Sequence, residues 1–397
     1  MTQGRESAPP TPAPDVARAT GHGGTRLDRL GNMLLPADRS ALELWFLSRI
    51  AVFVAATFAP WLLFDGEPVP GVLERWSQWD ADLYIEIARY GYGGNPQQAP
   101  DPGLPAFFPG LPLLLRLVHV AVPNWTAAGL LISLAAGAVA TIALSRLGEY
   151  EGPPGTGQRA VLALLVCPWA VFLAAGYTEA LFLAFAVPAW LLARRGHWLG
   201  AALVAAGASS VRITGVFLAV ALVVEWVTRA RPRRLASLPC LAIPFVPPAL
   251  YSTYLYVRTG DWLAWKHAQE VGWGRSLVPP WEALRTTWNV ATNPHSPHMW
   301  SFRFELLAAG VGVALVLWLL ARRQWGELTY VGIQVAALTS SAYYLSIPRA
   351  LLLWWPLWLL VAGSGLRRPW LYRLYVAVST PLMIIFTLAF THGDWAG

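Results

Sequence analysis

The chain has 397 residues, of which 56% are hydrophobic and only 13% are charged, and it contains 22 tryptophans. This balance excludes an ordinary soluble domain, in which about a quarter of the residues are charged. The net charge of +7 does not indicate nucleic-acid binding, because the basic residues are dispersed at the edges of apolar segments rather than gathered on one face. The composition therefore predicts a membrane protein.

The first 40 residues differ from the rest of the chain. They are rich in Pro, Gly, Ala and Thr, carry five arginines, and lack the apolar core of a cleavable signal peptide. We expect residues 1–40 to form a disordered basic tail in the cytoplasm. Residues 41–397 are predicted to form a single transmembrane domain.

Near-uncharged segments of the length that crosses a bilayer recur from residue 43 onward. We expect about eleven crossings, all helical, because helices satisfy their own backbone hydrogen bonds and the segments lack the alternation of barrel strands. The predicted fold class is an all-α polytopic membrane protein. The predicted crossings are 43–64, 124–145, 159–176, 178–193, 197–210, 213–228, 237–257, 303–321, 326–345, 350–365 and 374–391.

Arginine clusters follow several of these segments and fall on the same side as the basic tail. By the positive-inside rule, that side is the cytoplasm. The opposite, extracytoplasmic face then receives two long connections, 65–123 and 258–302, in which we expect amphipathic helices. These connections and the short turns beside them hold nearly all acids that do not lie at helix ends, so we expect the functional site on this face.

Residues 79–90, WDADLYIEIARY, place several charges between aromatic side chains. As a helix, this segment has Asp80 and Tyr84 on one face, while Asp82 begins a polar stripe on the other, as is typical of a solvated face. Asp80 should therefore dock toward the protein, where an unused carboxylate is costly. The alternative is a helix-capping box with Ser77. The two aspartates have the DxD spacing of metal-nucleotide sites, but they point in different directions, and we expect no metal.

Two arginines stand alone beside predicted membrane turns. Arg212 lies in SSVRITG and Arg349 lies in SIPRA, and guanidinium groups suit the oxygens of a phosphate. We interpret the pair as a phosphate clamp. The alternative for each is a structural ion pair with Glu179 of the YTEA turn, and Glu179 itself is either that partner or a ligand of an acceptor sugar.

The second long connection contains WKHAQEVGWG at 265–274, in which aromatic and polar side chains alternate. Lys266, His267 and Gln269 are placed to hydrogen-bond sugar hydroxyls while the tryptophans stack on sugar rings. The alternative is a belt of residues at the membrane interface. We expect no metal at His267, because no ligand spacing is completed around it.

WDADLYIEIARYGY followed by AFFPGLP resembles the signature of the PIG-V-like mannosyltransferases, a branch of the multi-spanning glycosyltransferases of the C superfamily (GT-C). Further similar segments follow in order: YTEALFLAF, SSVRITGVFLA, WKHAQEVGWG and SIPRALLLWWPLWLL. The resemblance extends over residues 43–390. A single lysine among 29 basic residues favours a bacterial member with a GC-rich genome.

The resemblance implies a helix bundle with an extracytoplasmic active site, a polyprenyl-phosphate sugar donor, usually of mannose, and a catalytic base in the first outside loop. That base maps onto Asp80. The chain departs from the family at Leu83, where an aromatic residue is commoner. It also lacks the glutamate that eukaryotic members carry before AFFP, so their acceptor, the GPI glycolipid, is not carried over. The predicted substrate-binding residues are Trp79, Asp82, Tyr84, Glu179, Arg212, Lys266, His267, Gln269 and Arg349.

The sequence therefore predicts a multi-pass cell-membrane enzyme. It would transfer mannose, with inversion, from a polyprenyl-phosphate donor to a glycolipid or glycan acceptor, without a cofactor. Its predicted partners are the donor, the acceptor and membrane lipids. The alternative is a transporter or flippase, but these usually carry charges near the bilayer midplane and an internal repeat, and the sequence has neither.

Overall fold

The computed structural model describes residues 35–63, 70–99, 101–229 and 235–396. Within these ranges every regular element is a helix, and the β structure is limited to one isolated bridge between Leu277 and Ser341. The all-α prediction is therefore confirmed. Most of the predicted tail, residues 1–34, lies outside the described residues, as do the last residue of the first predicted crossing, residue 64, and the start of the first long connection, residues 65–69.

The α-helices, numbered in chain order, are α1 Pro36–Leu63, α2 Asp80–Tyr90, α3 Gly110–His119, α4 Trp125–Glu151, α5 Thr156–Leu165, α6 Glu179–Arg194, α7 Trp198–Val211, α8 Thr214–Arg229, α9 Val246–Thr259, α10 Ala264–Trp273, α11 Pro280–Thr292, α12 Met299–Ala321, α13 Trp325–Thr339, α14 Ile347–Leu351, α15 Trp355–Arg367 and α16 Pro369–His392. Short 3₁₀ helices span Glu74–Trp76, Leu104–Ala106, Ala170–Leu173, Leu235–Ser237 and Pro239–Phe245.

The first helix begins inside the segment that was expected to be a disordered tail. Pro36 occupies its first turn, where the missing N–H of proline costs nothing. Asp38 is buried and forms an ion pair of 2.7 Å with Arg146 of α4. Residues 36–40 are therefore helical and fixed to the domain.

Five helical stretches are long and apolar enough to cross a bilayer: 36–58, 125–151, 235–259, 299–321 and 369–392. Many of their large apolar side chains point outward, including Leu47, Leu250 and Leu317. Such side chains suit contact with lipid, since water would leave this surface unfavourably exposed. The protein is a helical membrane protein.

The other six predicted crossings are shorter or broken. Helices α6, α7, α8 and α13 have 14 to 16 residues, which corresponds to about 21–24 Å and falls short of a bilayer core of about 30 Å. The predicted crossing 159–176 is divided between α5 and a 3₁₀ helix at Pro168, and 350–365 is divided before Pro356. Proline causes both breaks because it lacks an N–H and disfavours helix in the residue before it.

The short helices form the interior of the domain. Helix α6 packs between α4 and α7, α8 packs on α13, and α5 packs on α15. Trp190, Trp354 and Trp355 are fully buried among them. Irregular backbone at membrane depth is stable where it lines a cavity, and residues of α7, α8 and α13 line the cavity described below.

The turn between α7 and α8 depends on a glycine. A Cβ at position 215 would lie 2.3 Å from the Cα of Ser209 and 2.6 Å from the carbonyl carbon of Ala208. Since backbone must move to relieve this contact, Gly215→Ala is expected to destabilise the fold by about 1–3 kcal/mol. Thermal unfolding in nanodiscs measures the effect.

Gly310→Ala is the matched control for this substitution. Gly310 lies in α12, and a Cβ there would meet nothing within 4 Å, so alanine should be neutral or slightly stabilising through its helix propensity. Equal melting temperatures for the two variants would contradict the close approach at Gly215.

Candidate active site

A cavity of about 810 Å³ is lined by residues of both long connections. The turn before α8 and the segment that contains α14 complete its wall. The cavity is bordered by the first turn of α2, by α10 and the residues that follow it, and by the end of α13. Predicted site residues that line the cavity are Trp79, Asp80, Tyr84, Arg212, Lys266, Gln269 and Arg349.

Asp80 is the first residue of α2, and its side chain is 18% exposed. Its Oδ2 accepts a hydrogen bond of 2.7 Å from Nη1 of Arg349, and its Oδ1 has no hydrogen-bond partner in the described part of the chain. Asp82 lies on the opposite, exposed face and accepts from the hydroxyl of Ser77. The predicted division of this helix into two faces is confirmed, and the capping box is absent because the helix start has no side-chain cap.

Tyr84 lies one turn after Asp80 on the same face and is buried. Its ring meets that of Phe107 edge-on, with 4.8 Å between centroids. Burial raises the pKa of Tyr84 well above its usual range, and the negative charges of Asp80 and Glu179 act in the same direction. The hydroxyl therefore stays neutral and can donate a hydrogen bond in the cavity.

Backbone strain occurs beside both members of the Asp80–Arg349 pair. Trp79 has φ of 55° and Ser346 has φ of 62°. Residues other than glycine rarely adopt such positive φ angles, because the conformation costs about 1–3 kcal/mol. The ring of Trp79 packs edge-on against that of Trp395, 5.3 Å away. Such strain persists only where the surroundings impose it, and it concentrates at functional sites.

Glu179 joins the two predicted clamp arginines. It begins α6, is 0% exposed, and its Oε1 accepts from Nη1 of Arg212 at 2.9 Å and from Nη2 of Arg349 at 2.8 Å. Arg349 also donates Nε to Glu179, so all three of its nitrogens are bonded to acids. Both arginines therefore form the ion pair with Glu179 that was the alternative to a phosphate clamp. Glu179 lies behind the cavity rather than on its surface.

Two charged residues outside the predicted set also line the cavity, Glu305 and Arg275. Glu305 of α12 accepts from the backbone N–H groups of Ser346 at 2.6 Å and Ile347 at 2.9 Å. Arg275 donates from Nη2 to the carbonyl oxygen of Leu345 at 2.9 Å. Together they hold the segment that carries Arg349. A single carboxylate inside an apolar segment is a signal that could have identified Glu305.

The second connection contributes only part of its predicted set. Lys266 and Gln269 line the cavity, and Lys266 forms an ion pair of 3.0 Å with Glu270. His267 lies outside the cavity, where its Nδ1 is 2.6 Å from Oδ2 of Asp261. Asp82, Glu179 and His267 are therefore the predicted site residues that do not line the cavity.

The described residues contain no group of three His, Cys, Asp or Glu side chains arranged to hold a metal ion. Asp80 and Asp82 are directed to different partners, Arg349 and Ser77. The paired-aspartate arrangement of a metal-nucleotide site is thus not formed by these two residues.

The fold and the cavity define a helical membrane protein with an acid and several guanidinium groups converging on one site. No family model matches the chain. Part of it is similar to the mouse protein "GPI alpha-1,6-mannosyltransferase 2", with 34% identity over an alignment of 168 residues; the match covers 37% of this chain and 31% of the mouse protein. The Cricetulus griseus protein of the same name is 33% identical over 161 residues, with the same shares. The chain spans about a third of the length of these curated relatives.

Proposed function

We propose that the protein is an integral membrane mannosyltransferase of the PIG-V-like type. Its donor would be a polyprenyl-phosphate mannose, and its acceptor a hydroxyl group of a glycolipid or glycan. The observation that carries this proposal is Asp80, which lines a cavity of about 810 Å³ with a carboxylate oxygen, Oδ1, that has no hydrogen-bond partner among the described residues. The similarity to two proteins named as mannosyltransferases supports it.

Asp80 would act as the general base. Its Oδ1 takes the proton of the acceptor hydroxyl while that oxygen attacks the anomeric carbon of the sugar. The bond from the anomeric carbon to the phosphate oxygen breaks, and its electron pair leaves with the lipid phosphate. Because this is a single displacement, the configuration at the anomeric carbon inverts. Arg349 fixes Oδ2, which keeps Oδ1 directed toward the cavity.

Other cavity residues would bind the two substrates. Among the described residues, Arg212 bonds the carboxylate of Glu179 and the hydroxyl of Thr178, both through Nη1, so its other N–H groups remain for the substrate. Gln269 and the neutral hydroxyl of Tyr84 suit sugar hydroxyls, and the rings of Trp79 and Trp265 supply flat apolar surfaces for a pyranose.

The proposed orientation places the site outside the cell and the N-terminus in the cytoplasm, in a multi-pass cell-membrane protein. Helix α6 runs from Glu179, behind the site, to Arg194, and α8 runs from beside Arg212 to Arg229. The arginine-rich ends of these helices are thus opposite to the site. Cationic loops are retained in the cytoplasm, which supports an extracytoplasmic cavity.

Reconstitution tests the function directly. The full chain in liposomes would receive synthetic polyprenyl-phosphate mannose, radiolabelled in the sugar, together with a membrane lipid extract. We expect label in a new glycoside whose anomeric configuration is opposite to that of the donor. Label that crosses the bilayer without a new glycosidic bond would instead support the transporter alternative.

We expect transfer in this assay to be insensitive to EDTA, because the two aspartates of the DxD segment face different partners. The measurement compares initial rates before and after chelation. Inhibition that added manganese reverses would contradict this expectation and would favour a metal-bound donor phosphate.

A further inference from the structure

The cations of the cavity differ in how far acids already neutralise them. Arg349 is bonded through all of its nitrogens to Asp80 and Glu179. Arg212 is paired with Glu179, and Lys266 with Glu270. A guanidinium that is shared among carboxylates gains less from binding a further anion, because part of its charge is already compensated.

Arg275 is the exception among these side chains. Within the described residues it has no carboxylate at ion-pair distance, and its hydrogen bond goes to a neutral carbonyl, that of Leu345. Burial lowers the pKa of Arg275, and the nearby charges of Glu305 and Asp80 only partly oppose this effect. Glu305 is already occupied by two backbone N–H groups. The Nε and Nη1 groups of Arg275 have no hydrogen-bond partner in the described part of the chain.

An apolar surface begins next to Arg275. Leu277 lines the cavity and is 76% exposed. Three residues further on, α11 begins, and it presents Trp281, Leu284 and Trp288 to the outside along one side. Their spacing of three and four residues places them on one helix face. A cation near exposed apolar side chains matches the two parts of a lipid phosphate, the anionic group and the hydrocarbon chain.

We propose that Arg275 binds the phosphate of the lipid-linked donor, with the lipid chain leaving the cavity past Leu277 toward α11. This inference rests on the proposed function, since that function supplies a lipid phosphate as substrate. Guanidinium N–H groups form charge-assisted hydrogen bonds with phosphate oxygens, and the Nε and Nη1 groups of Arg275 have no other partner among the described residues. Arg349 then serves to position Asp80, and Glu179 to hold Arg349.

Equilibrium binding in nanodiscs tests the assignment without requiring catalysis. The probes are farnesyl monophosphate and farnesol, which share a lipid chain and differ in the phosphate. The wild-type chain is expected to bind the phosphate form more tightly. Arg275→Gln should weaken binding of farnesyl monophosphate by about 10- to 100-fold, the range for a lost charge-assisted hydrogen bond, and should leave farnesol binding unchanged.

Arg89→Gln is the matched control, since Arg89 is an exposed arginine in the last turn of α2 that does not line the cavity. It should retain wild-type affinity for both probes. If Arg275→Gln does not fold, Arg275→Lys decides the question. Lysine keeps the charge but replaces the planar guanidinium donors with a single ammonium group, so it should bind farnesyl monophosphate several-fold more weakly than the wild type and bind farnesol normally.

Wild-type affinity of Arg275→Gln for farnesyl monophosphate would overturn the proposal. The proposal would also be overturned if Arg275→Lys bound both probes equally more weakly, because that result would indicate that Arg275 mainly supports the fold through its hydrogen bond to Leu345. Equal binding of the two probes by the wild-type chain would also overturn it. Failure of the proposed function has a different signature: the charge-dependent binding persists, but no mannose is transferred in the reconstitution assay.

Discussion

Asp80→Asn is expected to lower the rate of mannosyl transfer by about 10²- to 10⁴-fold, the usual contribution of a general base. Asparagine has nearly the shape of aspartate, and its amide oxygen can still accept the hydrogen bond that Arg349 donates to Oδ2. It cannot take a proton from the acceptor hydroxyl. The measurement is the initial rate of transfer in liposomes, with thermal unfolding recorded for the same preparations.

Asp82→Asn is the matched control for this experiment. Asp82 lies on the same helix two residues away, but it is exposed and bonded to Ser77. We expect only a mild change in rate. A folded Asp80→Asn variant with the wild-type rate would remove the proposed mechanism, and a large loss in Asp82→Asn would restore the paired-aspartate interpretation.

The second large effect is a loss of stability, which we expect when Glu179 is replaced. Its carboxylate is fully buried between Arg212 and Arg349. Removing one partner of a buried ion pair leaves the opposite charge uncompensated and costs about 3–5 kcal/mol. Glu179→Ala should therefore strongly destabilise the protein. It should also reduce transfer, because Arg349 loses the contact that holds it beside Asp80.

Chemical unfolding in bicelles measures the loss of stability. Glu282→Ala is the control, since Glu282 is an exposed residue of α11 and should stay within about 0.5 kcal/mol of the wild type. Glu179→Gln retains the shape of the side chain and should fall between the two. Wild-type stability of Glu179→Ala would show that the two guanidinium groups do not depend on this carboxylate.

The position of the candidate site was accessible from local pattern. In residues 79–90, the period of 3.6 residues per turn separates Asp80 from Asp82, and the structure places them on opposite faces as expected. The turns that contain Arg212 and Arg349 were likewise visible as single charges between apolar segments, and both arginines line the cavity. In each case the signal, a helix period or a single charge between apolar segments, depends only on residues that are close together in the sequence.

The number of long membrane helices was harder to predict from the sequence. Hydropathy identifies apolar segments whether they face lipid or protein, so it does not distinguish α12, which is long enough to cross, from α13, which lies in the interior with 15 residues. A helix that is buried against other helices and a helix that faces lipid both require apolar side chains, because in both cases the side chains are removed from water. Only packing separates the two causes.

The sequence alone determined that this is an all-helical membrane protein, and which face of α2 carries the acid that lines the cavity. Both follow from backbone hydrogen bonding and side-chain period, which act over a few residues. The tertiary structure decided how charges pair: Glu179 meets Arg349 across 170 positions of the chain, while Arg275 meets a carbonyl oxygen. Ion pairing depends on distances of a few ångströms between side chains, and only the packing of helices distant in sequence sets those distances.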